Sequence, residues 1–333
     1  METEKKVSVI SPCYNGEAFA DRFLNNILEQ SYMNIELIFV DDGSTDRTYE
    51  IANSYKEKFS RQGRDLICIR QDNLGQAEAI NKGLVIFSGD YLMWTDSDDI
   101  LDKNNIKKKV EFLEQHKECG FVMCQGHASH ENSLNKKLWD LIRVQPIGED
   151  KFFEDMILEK NVVFTPGVYM VRREAFLDAI PKRHILPSRL GQNWQMLLPL
   201  SYKYKCGYIK EDLFTYVIRE DSHSRRAKTL KEVIDKLRAH NDLLESILES
   251  MGLAGSNYKQ LLNEKLIRKE FDNAYQFGNK TLMKDKYKEL KEMDAATNRD
   301  TLILWSGLYP FINSIYVTFK KSKKTLTRFM AKV

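Results

Sequence analysis

The segment Tyr91-Leu92-Met93-Trp94-Thr95-Asp96-Ser97-Asp98-Asp99 decides the fold of this chain. Its first four residues predict a short buried strand, and three carboxylates follow within the next five positions. In an open α/β sheet, ligands bind beyond the carboxyl ends of the strands. Carboxylates clustered there offer the oxygen ligands that Mg²⁺ and Mn²⁺ take together with substrate phosphates. The alternative is an acidic turn that caps the next helix, because Asp favours turns and N-caps.

Two further junctions of the same kind lie upstream. The apolar run 35–40 leads into Asp41-Asp42-Gly43-Ser44-Thr45-Asp46, and Val7-Ser8-Val9-Ile10 leads into Ser11-Pro12-Cys13-Tyr14-Asn15-Gly16. Strand, loop and helix therefore alternate through the first hundred residues. This alternation predicts βα units in a mostly parallel α/β sheet with helices on both faces.

Four motifs in this region resemble those of the family 2 glycosyltransferases. They are the segment 7–16, the segment 40–46, Asn73-Leu74-Gly75-Gln76-Ala77 with Asn81-Lys82-Gly83, and Asp96-Ser97-Asp98-Asp99, which resembles the D-x-D element of the family. The motifs follow the order and spacing of the family. The clear resemblance covers about residues 5–125, and a looser one continues to about residue 226.

The resemblance implies a GT-A, Rossmann-like fold with a mixed sheet. It also implies a nucleotide-sugar donor, usually a UDP-sugar, and transfer of a hexosyl or N-acetylhexosaminyl group with inversion. A divalent Mn²⁺ or Mg²⁺ held by Asp98 would neutralise the diphosphate as it leaves. The uracil-recognising carboxylate of the family maps onto Asp41, and Asp96 would approach the ribose or the metal. The other expected donor-binding residues are Pro12, Tyr14, Asn15, Glu17, Asn73, Gly75 and Asn81.

Simpler roles exist for several of these residues. Asp41 is equally a turn residue that bonds to its own backbone, and Tyr14 is equally a partly buried core aromatic.

The segment that begins Gly191-Gln192-Asn193 departs from the family. Many members carry an Asp here as general base, whereas this chain has Gln192 and Asn193, whose amides lack a basic lone pair at neutral pH. Three alternatives remain open. Another carboxylate, Asp178 or Glu211, supplies the base; the acceptor is activated without a protein base; or the protein binds donor without turnover, as a catalytically silent subunit of a glycan-synthesis complex.

The segment Arg219–Arg226 resembles the family loop that closes over the donor diphosphate. Arg219 would then contact phosphate, and His223 would contact phosphate or complete the metal shell. The alternative is an ordinary solvated surface.

Composition excludes several other classes of protein. A net charge of +3, without a zinc-finger, Walker or G-x-G-x-x-G pattern, argues against nucleic-acid binding. Five cysteines, odd in number and mostly in apolar runs, predict buried reduced thiols. The start of the chain lacks the apolar region of a signal peptide, which predicts a cytoplasmic protein.

We predict three regions: a catalytic domain over 1–226, a helical appendage over 227–300 and a tail over 301–333. Within the first region, the polar stretch 126–150 predicts an irregular loop over the active site. The tail carries no charge from Thr301 to Phe319 and six basic residues after it. This pattern predicts contact with the anionic inner face of a membrane, although packing on protein or a partner subunit is the alternative. A membrane contact favours a growing glycan or lipid-linked acceptor.

Overall fold

The computed structural model describes residues 4–143, 152–219 and 229–309. The chain divides into two compact units, residues 1–223 and 224–333.

The first unit is built on one mixed sheet, which contains nine strands among the described residues. Its order is β3-β2-β1-β4-β8-β6-β9-β5, with β7 beside β6. The strands are β1 Val7–Cys13, β2 Ile35–Asp41, β3 Asp65–Arg70, β4 Tyr91–Trp94, β5 Ile100–Leu101, β6 Cys119–His130, β7 Lys137–Leu141, β8 Tyr169–Arg172 and β9 Lys205–Ile218.

The amino-terminal half of the sheet is parallel. Strand β1 pairs in parallel with both β2 and β4, and β2 pairs in parallel with β3. Strands β1, β2 and β4 are buried along their whole length, which is typical of parallel strands covered on both faces. Cys13 lies opposite Asp41, and Ile10 lies opposite Trp94. The loops after these three strands therefore meet at one edge of the sheet.

The other half of the sheet is mixed, and its longest pair, β6 with β9, is parallel, so parallel pairing predominates in the sheet as predicted. Strand β8 runs antiparallel to β4 and β6, and β5 and β7 are also antiparallel to their neighbours. The prediction of an irregular loop over 126–150 is wrong for its first part. Strand β6 continues to His130, because residues 127–130 pair with residues 215–218 of β9. Residues 144–151 lie outside the described residues.

Eight helices of the first unit surround this sheet in the described ranges. Helix α4 approaches β1 so closely that a Cβ on Gly83 would lie 2.7 Å from the side chain of Ile10. The helices are α1 Ala20–Leu28, α2 Thr48–Ser54, α3 Lys56–Arg61, α4 Gln76–Ile86, α5 Asn105–Gln115, α6 Phe152–Leu158, α7 Arg173–Ala179 and α8 Gln192–Lys203.

The second unit is helical where it is described. Its helices are α9 Leu230–Ser250, α10 Asn257–Gln276, α11 Lys280–Glu292 and α12 Asn298–Leu308. Phe271, Ala274, Met283 and Ile303 form its buried apolar cluster.

The predicted boundary between residues 300 and 301 falls inside α12. Thr297 and Asp300 form a capping box that starts this helix, and Ile303 packs in the apolar cluster. Residues 310–333, with all the basic residues of the tail, lie outside the described residues. Within the part of the chain that the structure describes, no helix is both long enough and apolar enough to cross a membrane.

Candidate functional site

Three carboxylates converge beyond the carboxyl end of β4. One oxygen from each of Asp96, Asp98 and Asp99 can be chosen so that all three lie within 4.8 Å of one another. Asp99 is buried, and its Oδ1 accepts a hydrogen bond from the Val217 amide at 2.9 Å. Its Oδ2 is buried and lacks a hydrogen-bond partner among the described residues. Oxygen donors packed this closely, one of them unsatisfied, fit a hard divalent cation.

Burial and mutual repulsion shift the acidity of this cluster. Loss of hydration, followed by the charge of Asp98, raises the pKa of Asp96 to about 7. Burial likewise raises the pKa of Asp98, although the guanidinium of Arg219 opposes that shift, with the Asp98 Oδ2 3.6 Å from Arg219 Nη1. Burial raises the pKa of Asp99 well above its usual range, and the two neighbouring carboxylates add to the shift. A bound cation would offset the repulsion that these shifts reflect.

The loops after β1 and β2 are joined by reciprocal hydrogen bonds. The Asn15 amide donates to Ser44 Oγ at 2.9 Å, and Asn15 Oδ1 accepts from the Thr45 amide at 2.9 Å. The Glu17 amide donates to Asp46, and the Glu17 carboxylate accepts from the Arg47 amide at 3.2 Å. The side chains of Asn15 and Glu17 thus hold the two loops together.

Asp41 ends β2 as a fully buried carboxylate. Its Oδ1 accepts from the Ser44 amide at 3.3 Å. Its Oδ2 lies 3.1 Å from Arg70 Nε, an ion-pair distance, yet the alignment is too poor for a hydrogen bond. Asp41 therefore keeps one acceptor oxygen unsatisfied, which is costly in a buried site unless a ligand supplies a donor.

Asp42 has a structural role in the next loop. Its carboxylate accepts from the amides of Leu74 and Gly75, both at 2.9 Å, and from the Gln71 side chain. Gly75 has φ +95°, a conformation that favours glycine, and α4 begins directly after it. The first residue of that helix, Gln76, donates from Nε2 to Asp96 Oδ1 at 2.6 Å.

A cavity of about 480 Å³ lies over these loops. Tyr14 presents its ring there and is 47% exposed, so it is not a core aromatic. The cavity brings together five predicted residues, Pro12, Tyr14, Asn73, Gly75 and Gln192, with four others, Cys13, Asp42, Gln76 and Arg189. Arg219 instead lines a second cavity of about 590 Å³, beside Glu131 and Ile218. The predicted ligand His223 lies outside the described residues.

Asn81 was expected to contact the donor, but the structure gives it no place in the lining of either cavity. Its side chain is 4% exposed. Its amide donates to the Ile185 carbonyl at 2.9 Å and accepts from the Ile185 amide at 2.8 Å. With both polar atoms of the amide used in this way, Asn81 anchors the chain that precedes α8.

Asn193 is locked in the first turn of α8. Its Oδ1 accepts from Trp94 Nε1 at 2.7 Å and from the hydroxyl of Tyr169. Because an indole N–H can only donate, the atom facing Trp94 must be the amide oxygen. Among the described residues, the Asn193 Nδ2 has no hydrogen-bond partner, so it remains able to donate.

The two carboxylates considered as replacement bases lie elsewhere. Asp178 pairs with Lys203 at 3.0 Å and accepts from the Tyr204 hydroxyl. Glu211 pairs with Lys108 at 3.1 Å. Both are exposed, and neither lines the two cavities described above.

Sequence reasoning missed three participants. Asp99 lies within the acidic motif. Its burial distinguishes it from Asp96 and Asp98, and this burial is apparent only in the folded chain. Gln76 lies within a recognised motif, but it was not selected, because its bond to Asp96 joins residues 20 positions apart. Arg189 lies in an irregular segment that carries no periodic or motif signal.

The comparison with family models is decisive for the family. The model described as Glycosyl transferase family 2 matches residues 8–179, more than half of the chain. The chain belongs to glycosyltransferase family 2. This family 2 chain is 29% identical over 235 residues to the Bacillus subtilis protein EpsE, a match that covers 71% of this chain and 80% of EpsE. Relatives from Haemophilus influenzae and Streptococcus pneumoniae are 39% and 38% identical, but the matches span only 43% and 16% of their lengths.

Solved structures establish the GT-A fold predicted from the motifs. S. aureus TarS, residues 1–349 with UDP-GlcNAc, superposes with a TM-score of 0.59 at 16% identity, covering 91% of this chain and 79% of that one. The mannosyltransferase PcManGT from Pyrobaculum calidifontis, bound to GDP-Man and Mn²⁺, gives a TM-score of 0.57 at 16% identity, covering 94% and 83%. Both are GT-A glycosyltransferases, and the prediction of this fold is confirmed.

Proposed function

We propose that this chain transfers a hexosyl or N-acetylhexosaminyl group from a UDP-sugar to a hydroxyl of a glycan or lipid-linked acceptor, with inversion and a divalent metal. The observation that carries the proposal is the carboxylate cluster at the end of β4, next to a cavity lined by the motif loops. The UDP-GlcNAc in the TarS structure supports a UDP-sugar donor, and the Mn²⁺ in the PcManGT structure supports a divalent metal.

The nucleoside end of the cavity suits uracil. The exposed ring of Tyr14 offers a stacking surface, and stacking on an aromatic ring stabilises a base without regard to its identity. Asp41 is fully buried and is not among the residues that line the cavity, but it directly precedes the lining residue Asp42. Its Oδ2 is ion-paired to Arg70 without a hydrogen bond, and we assign this oxygen as the acceptor for the N3–H of uracil. Asp41 then supplies the specificity that Tyr14 cannot, because a site built for a hydrogen bond rejects partners that fail to make it.

The carboxylates of Asp96, Asp98 and Asp99 would hold Mn²⁺ or Mg²⁺. Such a cation supplies positive charge to a leaving diphosphate. Asp98 is the member best placed for this, because it is 35% exposed while Asp99 is buried and bonded to β9. Gln76 and the Val217 amide fix the orientations of Asp96 and Asp99.

Transfer on this chain proceeds without a protein base at the family position. The acceptor oxygen bonds to the anomeric carbon as the bond from that carbon to the diphosphate oxygen breaks, and the hydroxyl proton passes to solvent. The free Nδ2 of Asn193 and the side chain of Gln192 position the acceptor by hydrogen bonds. The ion pairs that hold Asp178 and Glu211 outside the cavity favour this mechanism over a substitute carboxylate.

The second candidate is a catalytically silent donor-binding subunit, which Asn193 alone favours. The two functions differ in one measurement, the release of UDP from UDP-sugars by the purified protein with Mn²⁺ and a lipid or glycan acceptor extract. Accumulation of UDP supports the transferase. Donor binding without any UDP release supports the silent subunit.

We also propose that residues 301–333 contact the anionic inner face of the cytoplasmic membrane. The described part of this segment exposes Leu302 and Trp305 of α12 and Tyr309 directly after the helix, at 55%, 46% and 49%. Leu302 and Trp305 share one face of the helix, and the ring of Trp305 stacks on that of Tyr309, while Ile303 packs in the apolar cluster. An aromatic face next to a basic run suits a headgroup region.

The first prediction tests the metal and the nucleotide together. Asp98→Asn removes a charge from the cluster, so we expect it to lose Mn²⁺-dependent UDP binding, measured by calorimetry, while keeping the wild-type melting temperature. GDP serves as the comparison nucleotide for base specificity, and we expect the wild type to bind UDP more tightly than GDP because of Asp41. Asp102→Asn, a change in the nearby turn outside the cluster, is the control. Unchanged UDP affinity in Asp98→Asn would remove the metal assignment.

A further inference from the structure

Among the residues that the structure describes, Arg189 is the one cationic side chain that lines the cavity over the motif loops. It lies in the irregular segment between α7 and α8, across from the start of α4. Its Cγ lies 3.6 Å from the position that a Cβ on Gly75 would occupy. Arg189 therefore shares the cavity with Tyr14, Gln76 and Gln192.

The guanidinium of Arg189 has no protein partner in the described residues, which sets it apart from every other arginine described in the first unit. Four of the others pair with carboxylates near or within the core: Arg22 with Glu131, Arg70 with Asp41, Arg143 with Asp155 and Arg219 with Asp98. Arg47 and Arg61 form surface pairs, and Arg64, Arg172, Arg173 and Arg183 bond to backbone carbonyls. Five N–H donors thus remain available on a residue that faces the cavity.

The backbone that carries Arg189 is held in place from two sides. Asn81 bonds to both polar groups of Ile185, and Gln195 bonds to both polar groups of Leu186. The Leu190 amide donates to Ser188 Oγ at 3.1 Å, and Gln192 donates to the Ser188 carbonyl. Buried amide side chains thus fix the backbone of the segment, which holds Arg189 at the wall of the cavity.

We propose that Arg189 binds an anionic group of the nucleotide-sugar donor, and this inference rests on the proposed function. The planar guanidinium fork matches the paired oxygens of a phosphate or a carboxylate. A nucleotide-sugar offers this chemistry from two sources, its diphosphate and, in a uronic acid donor, the carboxylate on the sugar. Arg189 also brings a positive charge to a cavity whose lining includes the carboxylate of Asp42, which would otherwise repel either anion.

The test measures binding of four probes with Mn²⁺ present: uridine by ligand-observed NMR, and UDP, UDP-glucose and UDP-glucuronate by calorimetry. The variants are Arg189→Gln and Arg189→Lys, with the exposed Arg61→Gln as the matched control. We expect Arg189→Gln to lose about tenfold or more in affinity for the anion it contacts, as for other hydrogen bonds to charged groups. Arg189→Lys should lose less, because it keeps the charge without the fork.

The pattern of losses identifies the anion. If UDP weakens and uridine does not, the partner is the diphosphate. If UDP and UDP-glucose keep their affinities while the preference for UDP-glucuronate over UDP-glucose disappears, the partner is the sugar carboxylate. The ratio of two affinities measured on one protein sample does not depend on the folded fraction. Partial unfolding of a variant therefore does not change which anion the experiment identifies.

Two results would overturn the inference. Affinities within twofold of the wild type for all four probes, or an equal loss for uridine and UDP, would show that Arg189 contacts no donor anion while the proposed function stands. If the wild type binds none of the four probes, the proposed function and this inference fail together.

Discussion

At the scale of single residues, the hydrogen-bond donors around Asn193 would also suit a carboxylate. Trp94 and Tyr169 both direct donors at its Oδ1, and these would serve an Asp at the same position equally well. Both donors favour the charged form of such an Asp, whereas burial and the neighbouring Asp96 disfavour it. Asn193→Asp therefore changes the chemistry of this position with little change in its packing.

We expect Asn193→Asp to raise transfer by about 10²-fold or more, because a positioned general base contributes at that level. Asn193→Ala should lower transfer only modestly, since it removes positioning and no base. The measurement is UDP release under acceptor saturation, with Gln62→Glu, an amide-to-acid change at an exposed residue outside both cavities, as the control. Equal rates for all variants would place the acceptor away from α8.

The sequence revealed residue types better than it revealed residue roles. The acidic turns predicted Asp41, Asp96 and Asp98, because a carboxylate that follows a strand is recognisable in the sequence, and the structure brings Asp96 and Asp98 into one cluster. The structure places Asn81 against the backbone of Ile185, and its motif does not indicate which way the amide faces. Arg189 was not selected from the sequence. Its guanidinium stands out because it has no partner among the described residues, and this is apparent only in the folded chain.

At the scale of elements, Lys109 joins α5 to the turn that precedes β8. Its ammonium is fully buried and donates to Asn105 Oδ1 at 2.8 Å and to the Gly167 carbonyl at 2.5 Å. Gly167 in turn donates its amide to the Trp94 carbonyl, next to the acidic motif. Burial lowers the pKa of Lys109 to about 8. Lys109 lies in a run of three lysines, and its contact with Gly167 joins residues 58 positions apart, so it is apparent only from tertiary packing.

The buried lysine predicts a particular dependence of stability on pH. Between pH 8 and about 10.4, the unfolded chain binds a proton at Lys109 that the folded chain has released. Stability therefore rises with pH across this window, at up to about 1.4 kcal/mol per pH unit from this residue alone. The penalty for burying the charge is fully present below pH 8.

We expect Lys109→Met to remove this slope, so that the wild type gains stability relative to the variant as the pH rises from 8 to 10. Urea unfolding at several pH values measures the difference. Lys108→Met is the control, because Lys108 is exposed and pairs only with Glu211 at the surface. Parallel pH profiles for the wild type and Lys109→Met would show that Lys109 stays charged in the folded protein.

At the scale of the whole molecule, three of the first four strands were predicted from the sequence, and β3 was not. Strands β1, β2 and β4 are mainly apolar segments that lead into polar loops, a pattern that is readable along the chain. Strand β6 ends in the polar sequence Gln125 to His130, and it stays extended because β9 pairs along its whole length. The partners in this pairing lie some 85 residues apart and leave no local pattern, so the sequence predicted a loop at residues 126–130.

The helices of the second unit were predicted from their spacing, yet the end of that unit was not. The uncharged run from Thr301 suggested a separate tail, whereas Ile303 belongs to the apolar cluster with Phe271 and Met283. Removing everything after Asp300 would therefore take away part of a folded core. The cut that isolates the basic segment lies after Tyr309, where α12 has ended.

The last prediction is that residues 310–333 and the exposed face of α12 bind anionic membranes. Each of the six basic residues of the tail is worth about 1 kcal/mol near such a surface, and salt screens this attraction. Full-length protein should sediment with vesicles containing phosphatidylglycerol, less so as salt rises, and not with neutral phosphatidylcholine vesicles. A chain ending at Tyr309 should lose most of this binding while keeping its melting temperature and UDP affinity.

The double variant Trp305→Ser with Tyr309→Ser, made in the full chain, should weaken the part of the vesicle binding that persists at high salt, because these rings supply the apolar contact. If the full chain ignores both vesicle types while the shortened chain changes its oligomeric state, the segment packs on protein and the membrane contact is wrong.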